Sequence, residues 1–514
     1  MAAVVIFHRL CRLLFAISFL TSLSFLFWSR SRSSFSSSSS SSPSCRIERS
    51  EFWLPPDPTH PKRQVYWNGS SIDLLSFSPA WNILSFPSEA PPPKTLKLAV
   101  FVKRWPRRHL SGGLERHALT LHLALARRGH QVHVFTTSPP SNSSNAAATD
   151  PELRTPNLTF HLSPPTKAGY IDQPLAWAQF RAENASGGRQ FDAVHTESVA
   201  LRHGRARNLS NLAASWHGIA YETIHSDVVQ GLLRSASPAQ PSAVPADRLA
   251  RVVDEVRFFR DYKHHVATSD HVGDVLRRVY MVPEDRVHVI VNGVDDGIYY
   301  PDPARGYRFR REVGVPNDTT LVIGMGGRLV KDKGHPLMFE ALKQVFEENE
   351  SFYRSTVILV AGDGPWGNRY KELGPNMLVL GPLDQARLAS FYNSLDVFLN
   401  PTLRAQGLDH TIIEAMMSGV PVAATWFASI TGSLIVGPEL GYTFHPTVDS
   451  LKESLCRIWK DGRVVLKEKG GNARNRAVNL FTATKMASAY ERLFLCIAEG
   501  GGVKGSSNKY CRYP

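Results

Sequence analysis

Leu96–Val102 reads LKLAVFV, Ser111-Gly112-Gly113 follows it, and Leu114–Arg128 carries a helical pattern closed by Gly129. A continuous apolar, β-branched run of this length marks a strand buried on both faces. Glycine between such a strand and a helix allows a tight turn. A second strand reads at Gln131–Thr136, and short apolar runs recur at Phe191–His195, Leu212–Trp216, Lys263–Thr268 and Val287–Val291. The same syntax restarts at Thr320, with strands at Leu321–Met325, Thr356–Val360, Met377–Leu380, Val397–Asn400 and Val420–Thr425. Between them lie helical stretches at Pro336–Glu348, Asp384–Ser394 and Thr411–Met417.

This alternation predicts an α/β protein of two Rossmann-like, doubly wound domains, residues 95–297 and 298–475, facing each other across a cleft. A helical stretch at Ala473–Ala498 is expected to cross back onto the first half, with 476–514 as helix plus tail. The site is then expected in the cleft, at the carboxyl ends of the strands. Ser138–Pro165 and Tyr221–Pro245 read as long polar loops of the first half.

The chain has 514 residues with 43% hydrophobic and 20% charged content, which suits two or three folded units and excludes a disordered or fibrous chain. Five cysteines without C-x-x-C spacing exclude a small disulfide scaffold and a cysteine zinc site. The formal charge is +14, yet no block of five like charges appears, which points toward phosphate groups or a membrane surface and away from nucleic acid.

Leu13–Ser29 (LLFAISFLTSLSFLFWS) is apolar and flanked by Arg9, Arg12, Arg30 and Arg32, and a Ser-rich run extends from Ser31 to Ser44. Residues 1–44 thus read as a tail, a signal anchor at about 13–29 and a stem, and 45–94 as a Pro-rich linker. N-x-S/T sequons at Asn68, Asn142, Asn157, Asn184, Asn208 and Asn317 would suit a luminal body. This layout predicts a single-pass Golgi or other secretory membrane protein. A plastid or other organellar transit peptide is the alternative, since no acid precedes Glu48.

Three segments could carry chemistry. Gly112-Gly113 lie where a helix N-terminus offers free N–H groups to an anion. In Gly326-Gly327-Arg328-Leu329-Val330-Lys331-Asp332-Lys333-Gly334, two cations converge at a strand's carboxyl end, as a diphosphate requires. In the third, Gln406 to Val422, Glu414 is a carboxylate within an apolar helix, costly without a partner such as a sugar hydroxyl. His217, in Ser215-Trp216-His217-Gly218, ends an apolar strand; taken alone, such a histidine is more often structural. Neither of these two glycine clusters completes G-x-G-x-x-G, and G-x-S-x-G, H-E-x-x-H and a Gly-Lys phosphate loop are absent.

The set GGLERHAL, SWHG, VNGVD, GRLVKDKG, AGDGP and QGLDHTIIEAMMSGVPV resembles the family 4 glycosyltransferases, retaining enzymes of the GT-B fold, from about Leu96 to Ala498. The resemblance implies an enzyme that moves a sugar from a nucleotide-sugar, UDP-linked or GDP-linked, to an unidentified glycan, lipid or small-molecule acceptor. Residues 298–475 would be the nucleotide-sugar domain and 95–297 the acceptor side. Arg328 and Lys333 would bind the donor diphosphate, Glu414 the ribose, and Gly112 and Gly113 would form the loop over the phosphates. His217 would stand near the transferred sugar, where Gln406 and the backbone of Leu408, Asp409 and His410 would meet its hydroxyls. His217, Arg328 and Lys333 are the expected catalytic residues. No D-x-D pair occurs in the body, so no metal and no cofactor is expected.

One departure stands out. The first carboxylate of the family's E-x7-E motif is Gln406, and its usual Gly-Phe-Gly reads Gly407-Leu408-Asp409. Gln can hydrogen-bond a hydroxyl but cannot carry charge. If the charge is needed, a weak or inactive scaffold is the alternative reading, unless Asp409 supplies it.

Overall fold

The computed structural model describes residues 92–106, 113–137, 155–186, 188–234, 246–404 and 408–500. The expected anchor and stem, Gly112, Gln406, Asn68 and Asn142 lie outside these residues.

The first sheet has seven parallel strands in the order β3-β2-β1-β4-β5-β6-β7. They are β1 Lys97–Phe101, β2 Gln131–Thr137, β3 Leu158–Ser163, β4 Ala193–Glu197, β5 Leu212–Trp216, β6 His264–Ala267 and β7 Val287–Val289. The second sheet is also parallel and six-stranded, in the order β10-β9-β8-β11-β12-β13. Its members are β8 Leu321–Gly326, β9 Thr356–Ala361, β10 Met377–Gly381, β11 Val397–Asn400, β12 Val422–Thr425 and β13 Gly441–Phe444. Both are doubly wound: strand order reverses between β1 and β4 and between β8 and β11, which opens a crevice at each point. β1, β4, β5 and β9 are buried at every position, as helices on both faces of a parallel sheet require.

The helices that position the site are α1 Gly113–Arg127, α2 Gln173–Ser186, α3 Ala220–Arg234, α4 Ala246–Phe258, α5 His335–Glu348, α6 Gln385–Asn393, α7 His410–Met417, α8 Val448–Leu480 and α9 Ala483–Ala498. The single stretch expected at Ala473–Ala498 is broken. Phe481 leaves the helical conformation, and Thr482 caps α9 by accepting from Lys485 N at 3.2 Å. Val294 N donates to Phe481 O at 2.9 Å and Ala483 N to Val294 O at 2.8 Å, tying the break to the segment after β7. Met486, Tyr490, Leu493, Phe494 and Ile497 of α9 then share one core with Leu98, Val100, Leu121 and Val132. Tyr221–Pro245 is also not all loop, because it supplies most of α3, and Ser138–Pro165 supplies β3.

No helix among the described residues is long and apolar enough to cross a membrane.

Candidate active site

The residues that face the cleft are placed by strand ends and helix starts. β8 delivers Gly327 and Arg328, and a 3-10 turn at Lys331–Lys333 delivers Lys333. Gly334 follows with φ +78°, and a Cβ there would lie 1.7 Å from Pro401 O, so only glycine permits this loop to pack against the β11 exit. Gly362 of Ala361-Gly362-Asp363-Gly364 is similar: its φ is +139° and a Cβ would sit 1.8 Å from Gly327 O.

The two expected diphosphate cations differ. The Arg328 side chain is 64% exposed and has one weak neighbour, Asp332 Oδ2, at 3.8 Å. Lys333 is mostly buried and donates to Asp409 Oδ2 at 2.7 Å. Asp409 caps α7 by accepting from Thr411 N, and it also accepts from Thr411 Oγ1 at 2.9 Å and Asn400 Nδ2 at 3.2 Å. Burial opposes its ionisation, but the Lys333 ammonium and these donors outweigh it and hold the carboxyl well below the usual range.

Glu414 is 1% exposed. One oxygen pairs with the Arg116 guanidinium of α1, and the other accepts from Tyr392 OH of α6 at 2.8 Å. Burial raises the Glu414 pKa and Arg116 opposes that rise. The carboxylate expected to meet a ribose is therefore partnered by a cation from the opposite domain. Arg116 lies within the GGLERHAL segment, but nothing in a sequence ties it to a residue 298 positions away.

Gly113 opens α1, and a Cβ on it would lie 3.4 Å from His410 Nδ1, so the start of α1 and the start of α7 face each other across the cleft. His410 Nε2 is buried and has no hydrogen-bond partner among the described residues. Leu408 is held by its backbone: its N lies 3.5 Å from Thr268 O and its carbonyl accepts from Asn292 Nδ2 at 2.6 Å. That use of the Leu408 N–H differs from the expected contact with a sugar hydroxyl.

His217, just after β5, donates or accepts at 2.6 Å with Glu197 Oε2, at the end of β4. The ring of His117 from α1 lies 4.4 Å from that of His217 and 6.5 Å from that of His410. A Cβ at Gly218 would come within 2.9 Å of the Arg404 guanidinium, whose other nitrogen is 4.0 Å from Asp332. Glu222 of α3 lies in the same region; its pKa is raised to about 8 by burial, against the pull of Arg404. Sequence reading missed Arg116, His117, Glu197, Glu222, Tyr392 and Arg404. Glu197 carried the one available signal, a carboxylate two residues past the short run Phe191–His195 read as a strand.

Gly113, His217, Lys333, Asp409, His410 and Glu414 thus gather at facing strand and helix ends, with Arg328 on the exposed rim. Residues 111–297 match the glycosyltransferase family 4 domain, and residues 320–461 match the glycosyl transferases group 1 domain. The chain is a glycosyltransferase that carries these two domains in order.

The glycosyltransferase is 28% identical over 330 residues to D-inositol 3-phosphate glycosyltransferase of Xylanimonas cellulosilytica, covering 61% of this chain and 75% of that protein. It is 25% identical over 418 residues to the protein of the same name from Corynebacterium efficiens, covering 76% and 93%. In fold it is similar to Anabaena HepE, whose crystal structure is a complex with UDP-glucose: TM-score 0.55 and 17% identity over 76% of this chain and 97% of that one. The two parallel-sheet domains are those of a GT-B protein.

The Golgi single-pass assignment and its organellar alternative are corrected by these findings. The described residues hold no membrane-crossing helix, and the relatives named above are from bacteria, which have no Golgi. The sequons lose their support with it. Asn157 and Asn184 are occupied within the fold, with Asn157 Nδ2 donating to Ala126 O at 3.3 Å and Asn184 Oδ1 accepting from Phe191 N at 2.9 Å, while Asn208 and Asn317 are exposed.

Proposed function

We propose that this glycosyltransferase moves a sugar from a nucleotide-sugar, UDP-linked in preference to GDP-linked, to a hydroxyl acceptor with retention of configuration and without a metal ion. The observation that carries the reading is the convergence of Arg328, Lys333 and the α1 N-terminus on one cleft that His217 and His410 also line. Cations and free N–H groups there suit the charge that grows on a departing diphosphate. Lys333 would exchange part of its contact with Asp409 for a phosphate oxygen, while Arg328, exposed and weakly paired, swings onto the other phosphoryl group. The sugar would lie toward His217 and His410, and its acceptor would attack from the face that the diphosphate leaves. The UDP preference is supported by the UDP-glucose complex of HepE, and a phosphorylated polyol as acceptor by the names of the bacterial relatives.

The test is release of nucleoside diphosphate from a panel of UDP-, GDP- and ADP-sugars, with inositol 3-phosphate among the acceptors and EDTA present. Turnover of one donor, lost in both Arg328→Ala and Lys333→Ala, is the expected result. A panel with no turnover and no donor that raises the melting temperature would overturn the reading.

A further inference from the structure

A hydrogen-bonded chain of seven side chains runs through the first domain and ends at His217. His122 Nδ1 lies 2.6 Å from Ala118 O, His122 Nε2 3.0 Å from His195 Nδ1, and His195 Nε2 2.7 Å from Ser215 Oγ. Ser215 Oγ lies 2.7 Å from Tyr490 OH, which is 3.4 Å from His117 Nε2. His117 Nδ1 is 3.1 Å from Glu197 Oε1, and Glu197 Oε2 is 2.6 Å from His217 Nε2. Every member except His217 is almost wholly buried.

The direction of each bond is fixed from the far end. A carbonyl only accepts, so His122 carries its proton on Nδ1 and its Nε2 accepts from His195. His195 then accepts from Ser215, and Ser215 from Tyr490, whose oxygen lies 3.4 Å from His117 Nε2. Burial keeps His122 and His195 neutral, lowering them to about 4 and about 3, so neither can reverse the chain by taking a second proton. Burial lowers the His117 pKa as well, whereas Glu197, although buried, is held well below its ordinary range by His117, His195 and the bond from His217. A carboxylate only accepts, so His117 Nδ1 and His217 Nε2 both donate to it. The reverse polarity at His217 would require Glu197 to be a neutral acid.

We propose that Glu197 is a positioning residue for the transfer reaction: it holds His217 in the tautomer protonated on Nε2, so that Nδ1 presents a lone pair to a hydroxyl of the bound substrate. This rests on the reading that His217 borders the sugar. His117, Glu197 and His217 also have the composition of a metal site, but atoms 2.6 Å apart are hydrogen-bonded, and two ligands of one tetrahedral zinc stand farther apart.

The test uses the full chain, ¹⁵N-labelled at histidine, and three variants. Gln at 197 can accept from His217 through its oxygen and, once His117 moves its proton to Nε2, donate to His117 Nδ1, so Glu197→Gln keeps both bonds, whereas Glu197→Leu breaks both. Expected are a His217 imidazole protonated on Nε2 in the unaltered protein and in Glu197→Gln, and a mixture of tautomers in Glu197→Leu. Glu197→Gln should keep kcat within about fivefold, and Glu197→Leu should lose about 100-fold in kcat with donor KM changed less than about threefold. A wild-type His217 protonated on Nδ1 overturns the proposal even if Glu197→Leu does not fold. So does full turnover in Glu197→Leu, or turnover lost to EDTA and restored by zinc. Full turnover in His217→Ala would instead sink the site reading itself, while an inactive His217→Ala beside an active Glu197→Leu removes Glu197 alone.

Discussion

The two walls of the cleft handle charge in different ways. On the first-domain wall, buried polar groups form one continuous chain from His122 to His217, in which neutral donors and acceptors lead to a single carboxylate, Glu197. On the second-domain wall, charge is held in discrete ion pairs: Lys333 with Asp409, Glu414 with Arg116 reaching over from α1, and Arg328 left at the rim. A chain of fixed donors and acceptors is suited to presenting lone pairs and N–H groups to hydroxyls. Ion pairs that can be reopened are suited to receiving a diphosphate, because the cation is already desolvated when the anion arrives. The contrast fits the proposal that the sugar lies on one wall and the phosphates on the other.

Breaking an ion pair should cost more than breaking a link between neutral groups, and the largest effect is expected at Glu414. Glu414→Gln leaves the buried Arg116 guanidinium without its counter-charge, and chemical denaturation should show a loss of about 3–5 kcal/mol. A loss below about 1 kcal/mol would mean that the pair is no interdomain tie. Lys333→Ala should lower turnover by about 10²–10³ and also destabilise the fold, since Asp409 loses its ammonium.

A third prediction concerns pH. Glu222 has a folded pKa near 8 against an ordinary 4.5, so between those values the folded state binds a proton that the unfolded state has released. Stability contributed here falls as pH rises from 4.5 to 8, and Glu222→Gln, which never ionises, should be more stable than the parent at pH 8 by on the order of 3 kcal/mol and about equal at pH 4. Equal melting temperatures at pH 8 would show that Glu222 ionises at no cost. The smallest effect on the fold is expected at Arg328. Arg328→Ala should leave the melting temperature unchanged and slow turnover about 100-fold, separating the exposed cation from the paired one.

Much of this architecture could be read from local pattern. Leu96–Val102, Leu321–Met325 and Thr356–Val360 are strands because short, mostly apolar runs bounded by turn residues admit little else, and Arg328, Lys333 and His217 could be placed because each lies at or soon after the end of such a run. What escaped was either short or nonlocal. β13 has four residues, too few to show a period, while β3 (LTFHLS) does alternate apolar with polar but lies inside the stretch Ser138–Pro165 read as a polar loop. The break between α8 and α9 has no Pro or Gly; its one mark is Thr482, a capping residue among many threonines. Arg116 and Glu197 escaped because their meaning comes from partners that only the folded chain brings near. Glu197 needs His117 and His217, at separations of 80 and 20 residues.

α9 also bears on the order in which the molecule is made. Its apolar face completes the core around β1 and β2, yet it is synthesised after the whole second domain. The first domain therefore leaves the ribosome with the core around Leu98, Val100 and Val132 covered by α1 but not by α9, while some 190 further residues separate the end of β7 from the start of α9. Closing that gap is a long-range step, slow in proportion to the chain it must gather, and it makes the second domain a passenger on the folding of the first. During translation, the exposed face of the first sheet is the surface that a chaperone would have to shield.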